Sequence, residues 1–241
     1  MLTVIGIGPG SEAMMTQEAI AALEEAEVVV GYKTYTHLVK PLVGDKEVIK
    51  TGMCKEIERC QLAIDLAAQG KNVAMVCSGD AGIYGMAGLI LEIVAKQKYE
   101  IEVRLVPGIT ASIAAAALLG APLMHDFCHI SLSDLLTPWA VIERRVKAAA
   151  EADFVICFYN PRSRGREGHL AKAFELMAPW ISADRPVGVV KAAGRKKQEK
   201  WVTTFGEMEF SQVDMTSLVI VGNQSTYISE GLMITPRGYK L

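Results

Sequence analysis

The stretch Cys77-Ser78-Gly79-Asp80-Ala81-Gly82-Ile83-Tyr84-Gly85 places three glycines and one carboxylate within nine residues. Glycines allow main-chain amides to approach a bound group closely and to take backbone angles that other residues avoid. A carboxylate among them can favour a positive centre or hold a hydroxyl, or it can accept hydrogen bonds from nearby amides. Such a set suits recognition by bare backbone rather than covalent catalysis. The apolar run Val73-Ala74-Met75-Val76 before it reads as a buried strand, and the pattern Met86 to Val94 after it reads as a helix. The loop therefore falls at the carboxyl end of a strand, where open α/β sheets bind ligands.

A second glycine turn, Gly6-Ile7-Gly8-Pro9-Gly10-Ser11, follows the opening strand Leu2 to Ile7. It partly matches a dinucleotide fingerprint, but Ser11 stands at the third glycine position and Pro9 intrudes where a helix should open. The next strand, Glu27 to Gly31, leads into Tyr32 and Lys33 rather than into the acid that would hold a ribose. A nicotinamide enzyme is accordingly the weakest reading, and Pro9 is either a rigid turn or a rigid wall of a binding cleft.

The elements that must position these loops alternate strand and helix. Thr16 is a plausible N-cap for a helix over 17–25. Val48 and Ile49 form a short strand, 56–68 an amphipathic helix, and 101–106 a strand stopped by Pro107-Gly108. An alanine-rich helix runs over 109–119. The pattern breaks at Gly120-Ala121-Pro122. A second alternation has strands at 129–132, 153–158, 186–192, 199–205 and 218–222, and helices at 139–152 and 169–178. This predicts a largely parallel sheet and an α/β fold, with an N-terminal α/β domain over 1–120, a C-terminal α/β domain over 121–241, and a cleft between them.

The chain has 241 residues, of which 51% are apolar and 22% charged, and its net charge is −2. That suits a protein with a sizeable core and gives no overall attraction for nucleic acid. No apolar run is long enough to span a bilayer. The N-terminus enters a strand without a signal-peptide pattern, so a cytoplasmic location is expected. The five cysteines, Cys54, Cys60, Cys77, Cys128 and Cys157, form no CxxC pair, so neither a metal site nor a disulfide framework is expected. Cys77 and Cys157 read as core residues.

Four ordered segments, Val4 to Gly10, Ser78 to Tyr84, Val106 to Ser112, and Lys191-Ala192, resemble those of the tetrapyrrole methylases, which transfer a methyl group from S-adenosylmethionine. The resemblance covers nearly the whole chain. Gly79-Asp80-Ala81 in place of the usual Gly-Asp-Pro, the run His125 to Trp139, and Tyr159-Asn160-Pro161-Arg162-Ser163 are similar to the branch that methylates C17 and contracts the ring of precorrin-3B or cobalt-factor III in cobalamin synthesis. Two other readings stay open: another methylase of the same family, and a module that binds a tetrapyrrole or nucleoside without turnover.

The resemblance implies a cofactor site at Pro9, Ser78, Gly79, Asp80, Ala81, Ile83, Thr110, Ala111, Asn160, Ala192, Thr216 and Ser217, with no metal. Thr216 and Ser217 are placed only by their distance before Gly222. A macrocyclic substrate with carboxylate arms would suit Arg162, Arg164 and Arg166, whose guanidinium forks match carboxylates. For Arg195 to Lys200 a solvated loop is at least as good a reading. Ring contraction needs proton transfers, for which His125, His129, Asp134, Tyr159 and Lys191 are candidates; His129, Tyr159 and Lys191 lead, and none is singled out as the catalyst. A homodimer is implied by the resemblance alone.

Overall fold

The computed structural model describes residues 1–163 and 165–240. Arg164, one of the three candidate substrate arginines, lies outside the described residues. The chain divides into two compact units, Met1–Ala111 and Ser112–Leu241.

The first unit holds five strands: β1 (Leu2–Gly6), β2 (Val28–Tyr32), β3 (Glu47–Thr51), β4 (Val73–Cys77) and β5 (Val103–Val106). Helices α1 (Gln17–Glu25), α2 (Lys33–Leu38), α3 (Lys40–Val43), α4 (Glu56–Ala68) and α5 (Ala87–Gln97) connect them. All strand pairs are parallel, in the order β3-β2-β4-β1-β5. Parallel neighbours need a crossover, and these helices supply it. The three central strands β1, β2 and β4 read as near-continuous apolar runs because both faces are covered. Leu2, Val4, Val28, Val30, Val73 and Met75 pack with Cys60, Ile64 and Ile90 of α4 and α5. The alternate residues Ile5, Val29, Ala74 and Val76 pack with Ala19, Leu23 and Val39 on the other face.

Thr16 caps α1 as expected, its side chain accepting the Ala19 N–H at 3.1 Å. The helices α2 and α3 carry no clear apolar period and were not anticipated.

The second unit is built differently. It contains α6 (Ala111–Leu119, from its second residue on), β6 (Gly120–Ala121), β7 (Phe127–Ser131), α7 (Trp139–Glu151), β8 (Val155–Tyr159) and α8 (His169–Met177). Then come β9 (Pro186–Lys191), β10 (Glu199–Thr204), β11 (Ser217–Val221), β12 (Tyr227–Ser229) and β13 (Leu232–Ile234). The main sheet has the order β10-β9-β11-β8-β7. Only β7 and β8 pair in parallel; the other three pairs are antiparallel. The expectation of a largely parallel sheet thus holds for the first unit and not for the second. The reason lies in the connections: β9, β10 and β11 follow one another without a regular α-helix between them, so they join as antiparallel neighbours.

The amphipathic faces of α7 and α8, including Ile142, Val146, Leu170 and Phe174, cover one face of this sheet. On the other, Gly188 lies where a Cβ would stand 2.5 Å from Leu119 and 2.6 Å from Met233, so α6 and the small sheet β12-β13-β6 lie directly on the strand. A buried chain of hydroxyls ties that small sheet down. Thr226 Oγ1 meets Thr235 Oγ1 at 2.8 Å, and Thr235 Oγ1 donates to Pro122 O at 2.7 Å. The division between units falls before most of α6, whereas the break at 120–122 marks the helix end.

Candidate functional site

In the first unit the sheet order places β1 between β4 and β5, although β4 and β5 are consecutive in the chain. The chain winds from β1 toward β2 and β3, returns through β4, and crosses to β5 on the far side. Such a reversal opens a crevice beyond the carboxyl ends of the strands. The three loops that leave β1, β4 and β5 meet there: Gly6 to Gly10, Ser78 to Gly85, and Pro107 to Thr110.

They meet as backbone on backbone. Gly8 N–H donates to Gly79 O at 3.1 Å and Gly79 N–H to Gly8 O at 2.7 Å, an isolated two-bond bridge. A Cβ on Gly6 would lie 2.7 Å from Gly108 N and 2.8 Å from Gly79 O, and one on Gly108 would lie 2.2 Å from Gly79 O and 2.5 Å from Gly6 O. Gly6 and Gly108 are therefore required by close approach alone. Gly79 takes a φ of +69°, which glycine adopts without the penalty paid by other residues.

Asp80 holds the arrangement together. Its Oδ1 accepts the Gly82 N–H at 2.8 Å and its Oδ2 accepts the Gly108 N–H at 3.0 Å. One oxygen closes its own turn and the other crosses to the loop after β5. Both carboxylate oxygens thus serve backbone amides, which is the structural one of the two roles the sequence left open. Ala81 is buried at 3% exposure, and its carbonyl accepts the Ala87 N–H that begins α5 at 3.0 Å. Pro9 and Thr110 are buried, Ser78, Ile83 and Ala111 half-buried. Tyr84, with φ +54°, is a non-glycine residue in the left-handed region, an uncommon state that clusters at functional sites. So Pro9, Ser78, Gly79, Asp80, Ala81, Ile83, Thr110 and Ala111 all belong to these three loops and the residue that opens α6.

The loop geometry also explains why the first glycine turn is no dinucleotide site. After Ser11 come a single turn of 3-10 helix at Glu12–Met14 and the capping Thr16 before α1 starts at Gln17. No α-helix opens at the turn to receive a pyrophosphate.

In the second unit the remaining candidates line one end of the main sheet. Ser217 is in register with Lys191, and Val219 with Phe158. Continuing the latter register by two residues brings Asn160 opposite Ser217. Ser131 is in register with Tyr159. The row Ser131, Tyr159–Asn160, Ser217, Lys191 therefore crosses four strands. Asn160 and Ala192 both have positive φ, +51° and +47°. Asn160 Nδ2 donates to Ser131 Oγ at 2.9 Å, and Ala192 N–H donates to Thr216 O at 3.1 Å. The two residues placed least securely by sequence, Thr216 and Ser217, thus lie beside Ala192.

Asp214, not singled out from sequence, organises this corner. Its Oδ1 accepts the Thr216 N–H at 2.8 Å, Thr216 Oγ1 at 2.7 Å and Ser217 Oγ at 3.2 Å, while Oδ2 lies 3.3 Å from Lys191 Nζ. Burial pushes the Asp214 carboxyl up, but the Thr216 and Lys191 contacts outweigh it and hold it below the usual carboxylate range. Lys191 also faces Glu199 at 3.7 Å. The signal was the Asp214-Met215-Thr216-Ser217 spacing, a side-chain turn of the kind Asp forms with the amide two residues on.

Of the proton-transfer candidates, His129 and Tyr159 come together, with ring centroids 5.1 Å apart. Tyr159 Oη accepts the Ser112 N–H at 3.1 Å at the start of α6. Burial lowers the pKa of His129, favouring the neutral imidazole. His125 is exposed and 3.9 Å from Asp126, and Asp134 lies 3.6 Å from His169, apart from the His129–Tyr159 pair. The arginines divide. Arg162 Nη1 donates to the carbonyls of Phe210 at 3.2 Å and Ser211 at 3.1 Å, so it braces a loop. Arg166 Nη1 donates to Ser133 Oγ.

Residues 1–209 match the family described as Tetrapyrrole (Corrin/Porphyrin) Methylases. The chain is 77% identical over 241 residues, all of both chains, to the probable cobalt-factor III C(17)-methyltransferase of Salmonella typhimurium. It is 42% identical over 246 residues, 99% of this chain and 96% of the other, to a precorrin-3B C(17)-methyltransferase of Sinorhizobium. The crystal structure of the methyltransferase CobJ superposes with a TM-score of 0.93 at 37% identity, covering 98% of this chain and 99% of that one. The uroporphyrin-III C-methyl transferase from Thermus thermophilus complexed with S-adenyl homocysteine has the same fold, with a TM-score of 0.68 at 23% identity over 92% of this chain and 91% of that one. The chain belongs to the tetrapyrrole (corrin/porphyrin) methylase family.

Proposed function

We propose that this chain transfers the methyl group of S-adenosylmethionine to C17 of cobalt-factor III, with contraction of the macrocycle, in cobalamin biosynthesis. The observation that carries the reading is the cradle of the first unit, where three glycine loops converge on main-chain contacts and Asp80 locks two of them. It is supported by the family match and by the 77% identity to a protein named for that activity.

S-adenosylmethionine, when bound, supplies a methyl group already activated on a sulfonium. The protein's task is then to align donor and acceptor and to exclude water, and alignment alone is worth up to about 7–11 kcal/mol. A cradle built of glycine backbone fits that task, since the main-chain groups of Gly79, Asp80 and Ala81 can lie against the ligand. Pro9, Ser78, Ile83, Thr110 and Ala111 of the first unit, and Asn160, Ala192, Thr216 and Ser217 of the second, are the further residues we assign to cofactor binding. On the acceptor side, neutral His129 can take a proton and Tyr159 can pass one during ring contraction. Lys191, held between two carboxylates, is a third candidate. Arg166 is the described arginine we assign to a substrate carboxylate. The protein is read as cytoplasmic and homodimeric, without nucleic-acid or membrane partners.

The test is incubation with labelled S-adenosylmethionine and either cobalt-factor III or precorrin-3B, followed by mass spectrometry of the macrocycle. The reading expects label on carbon of the cobalt-loaded substrate. Label on neither macrocycle would refute it, and transfer to precorrin-3B alone would reassign the substrate.

A further inference from the structure

In the run Leu132-Ser133-Asp134-Leu135-Leu136-Thr137-Pro138, between β7 and α7, the reading above gives no role to Leu135 and Leu136. The run is anchored on both sides. Leu132 is fully buried and its N–H donates to Tyr159 O at 2.9 Å. Ser133 N–H reaches Ser131 Oγ at 3.3 Å, and its Oγ accepts from Arg166. Asp134 lies 3.6 Å from His169 Nε2. At the far end Pro138 O accepts the Val141 N–H at 2.9 Å as α7 begins. Between these anchors Leu135 is 68% and Leu136 98% exposed.

One exposed leucine is ordinary. Two adjacent ones on a loop tied down at each end, where serine or aspartate would serve the backbone equally, need an occupant. We infer that Leu135 and Leu136 lie against the apolar face of the substrate macrocycle and help to determine which macrocycle is accepted; this inference rests on the function proposed above. Charge complementarity supports it: Arg166 bonds Ser133, two residues before Leu135, so one loop carries both an apolar tip and a guanidinium at its base, as a flat ring edged with carboxylates requires. Continuity supports it too, since Ser131 at the base of the loop bonds Asn160 and Leu132 bonds Tyr159. Two leucine side chains are far too small a patch for a stable protein partner, which needs about 800 Å² on each side.

The test is the double variant Leu135→Ser/Leu136→Ser beside wild type and Leu135→Met/Leu136→Met. Three quantities are measured: melting temperature, S-adenosylhomocysteine affinity, and the KM and spectroscopic Kd for cobalt-factor III. Because both side chains are exposed, melting temperature and S-adenosylhomocysteine affinity stay at wild-type values. Losing the buried apolar contact raises KM and Kd about tenfold or more, and the methionine variant retains affinity. An unchanged Kd in the serine variant overturns the inference while leaving the proposed function intact. So does a change of oligomeric state without a change of Kd, which would assign the leucines to contacts between copies. A wild-type protein that neither binds nor methylates the macrocycle overturns both, and that result appears in the wild-type arm alone.

Discussion

Asp80→Asn separates two roles that one carboxylate could play. In the structure its two oxygens accept amide hydrogens from Gly82 at 2.8 Å and Gly108 at 3.0 Å. The asparagine amide offers one acceptor and one donor, so only one of these bonds survives, and the amino group meets another N–H. A hydrogen bond to a charged partner contributes about 1.5–3 kcal/mol. Because the Gly82 contact is solvent-exposed, a loss of about 1–2 kcal/mol is appropriate. For a chain of this length that lowers the melting temperature by about 2–8 °C. Loosening the tie between the β4 and β5 loops also weakens S-adenosylhomocysteine, so stability and affinity fall together. Thermal melts and calorimetric titration of the same preparation measure both. If the variant melts within about 1 °C of wild type but loses affinity tenfold or more, the carboxylate touches the ligand and the clamp argument is wrong.

Gly6→Ala, which would put a methyl group against Gly108 N and Gly79 O, should cost about 1–3 kcal/mol or more by overpacking and be visible as a lower melting temperature. Wild-type stability in that variant would mean the three loops do not meet as described. Burial depresses the folded-state pKa of His129, so its contribution to stability is present above the unfolded value of about 6.5 and is lost as pH falls through the folded value. Melting temperature should drop on acidification below that range, and His129→Phe should flatten that part of the profile. Native protein treated with iodoacetamide at mildly alkaline pH should be alkylated first at exposed Cys54, because burial raises Cys60 to about 12 and both Cys77 and Cys128 to about 11. Peptide mapping that finds Cys77 labelled early would contradict the packed β4. Lys191→Met removes a partly exposed ion pair with Asp214, so it should cost no more than about 1 kcal/mol of stability. A large fall in kcat with an unchanged melting temperature would assign Lys191 to catalysis, and an unchanged kcat would remove it from the candidates.

The α/β class, the strand–helix alternation and the glycine loop at the end of β4 were all legible in the amino-acid sequence, because each rests on local pattern. Apolar runs flanked by glycine mark strands covered on both faces, and Thr16 caps the helix after it. Long-range pairing is not local. That β1 inserts between β4 and β5, so that Gly6, Gly79 and Gly108 touch, follows from how the whole sheet packs. Asp80 sits 28 residues before the amide it clamps, a distance at which no periodicity carries a signal. In the second unit the strands after α8 lacked connecting helices, which should have argued against a parallel sheet. Placing Lys191 beside Ser217 and Asn160 beside Ser131 required the register between strands. Chain chemistry alone thus settled what the loops are made of, while tertiary packing settled which loops meet, because close approach of backbones is a property of the assembled sheet rather than of any one segment.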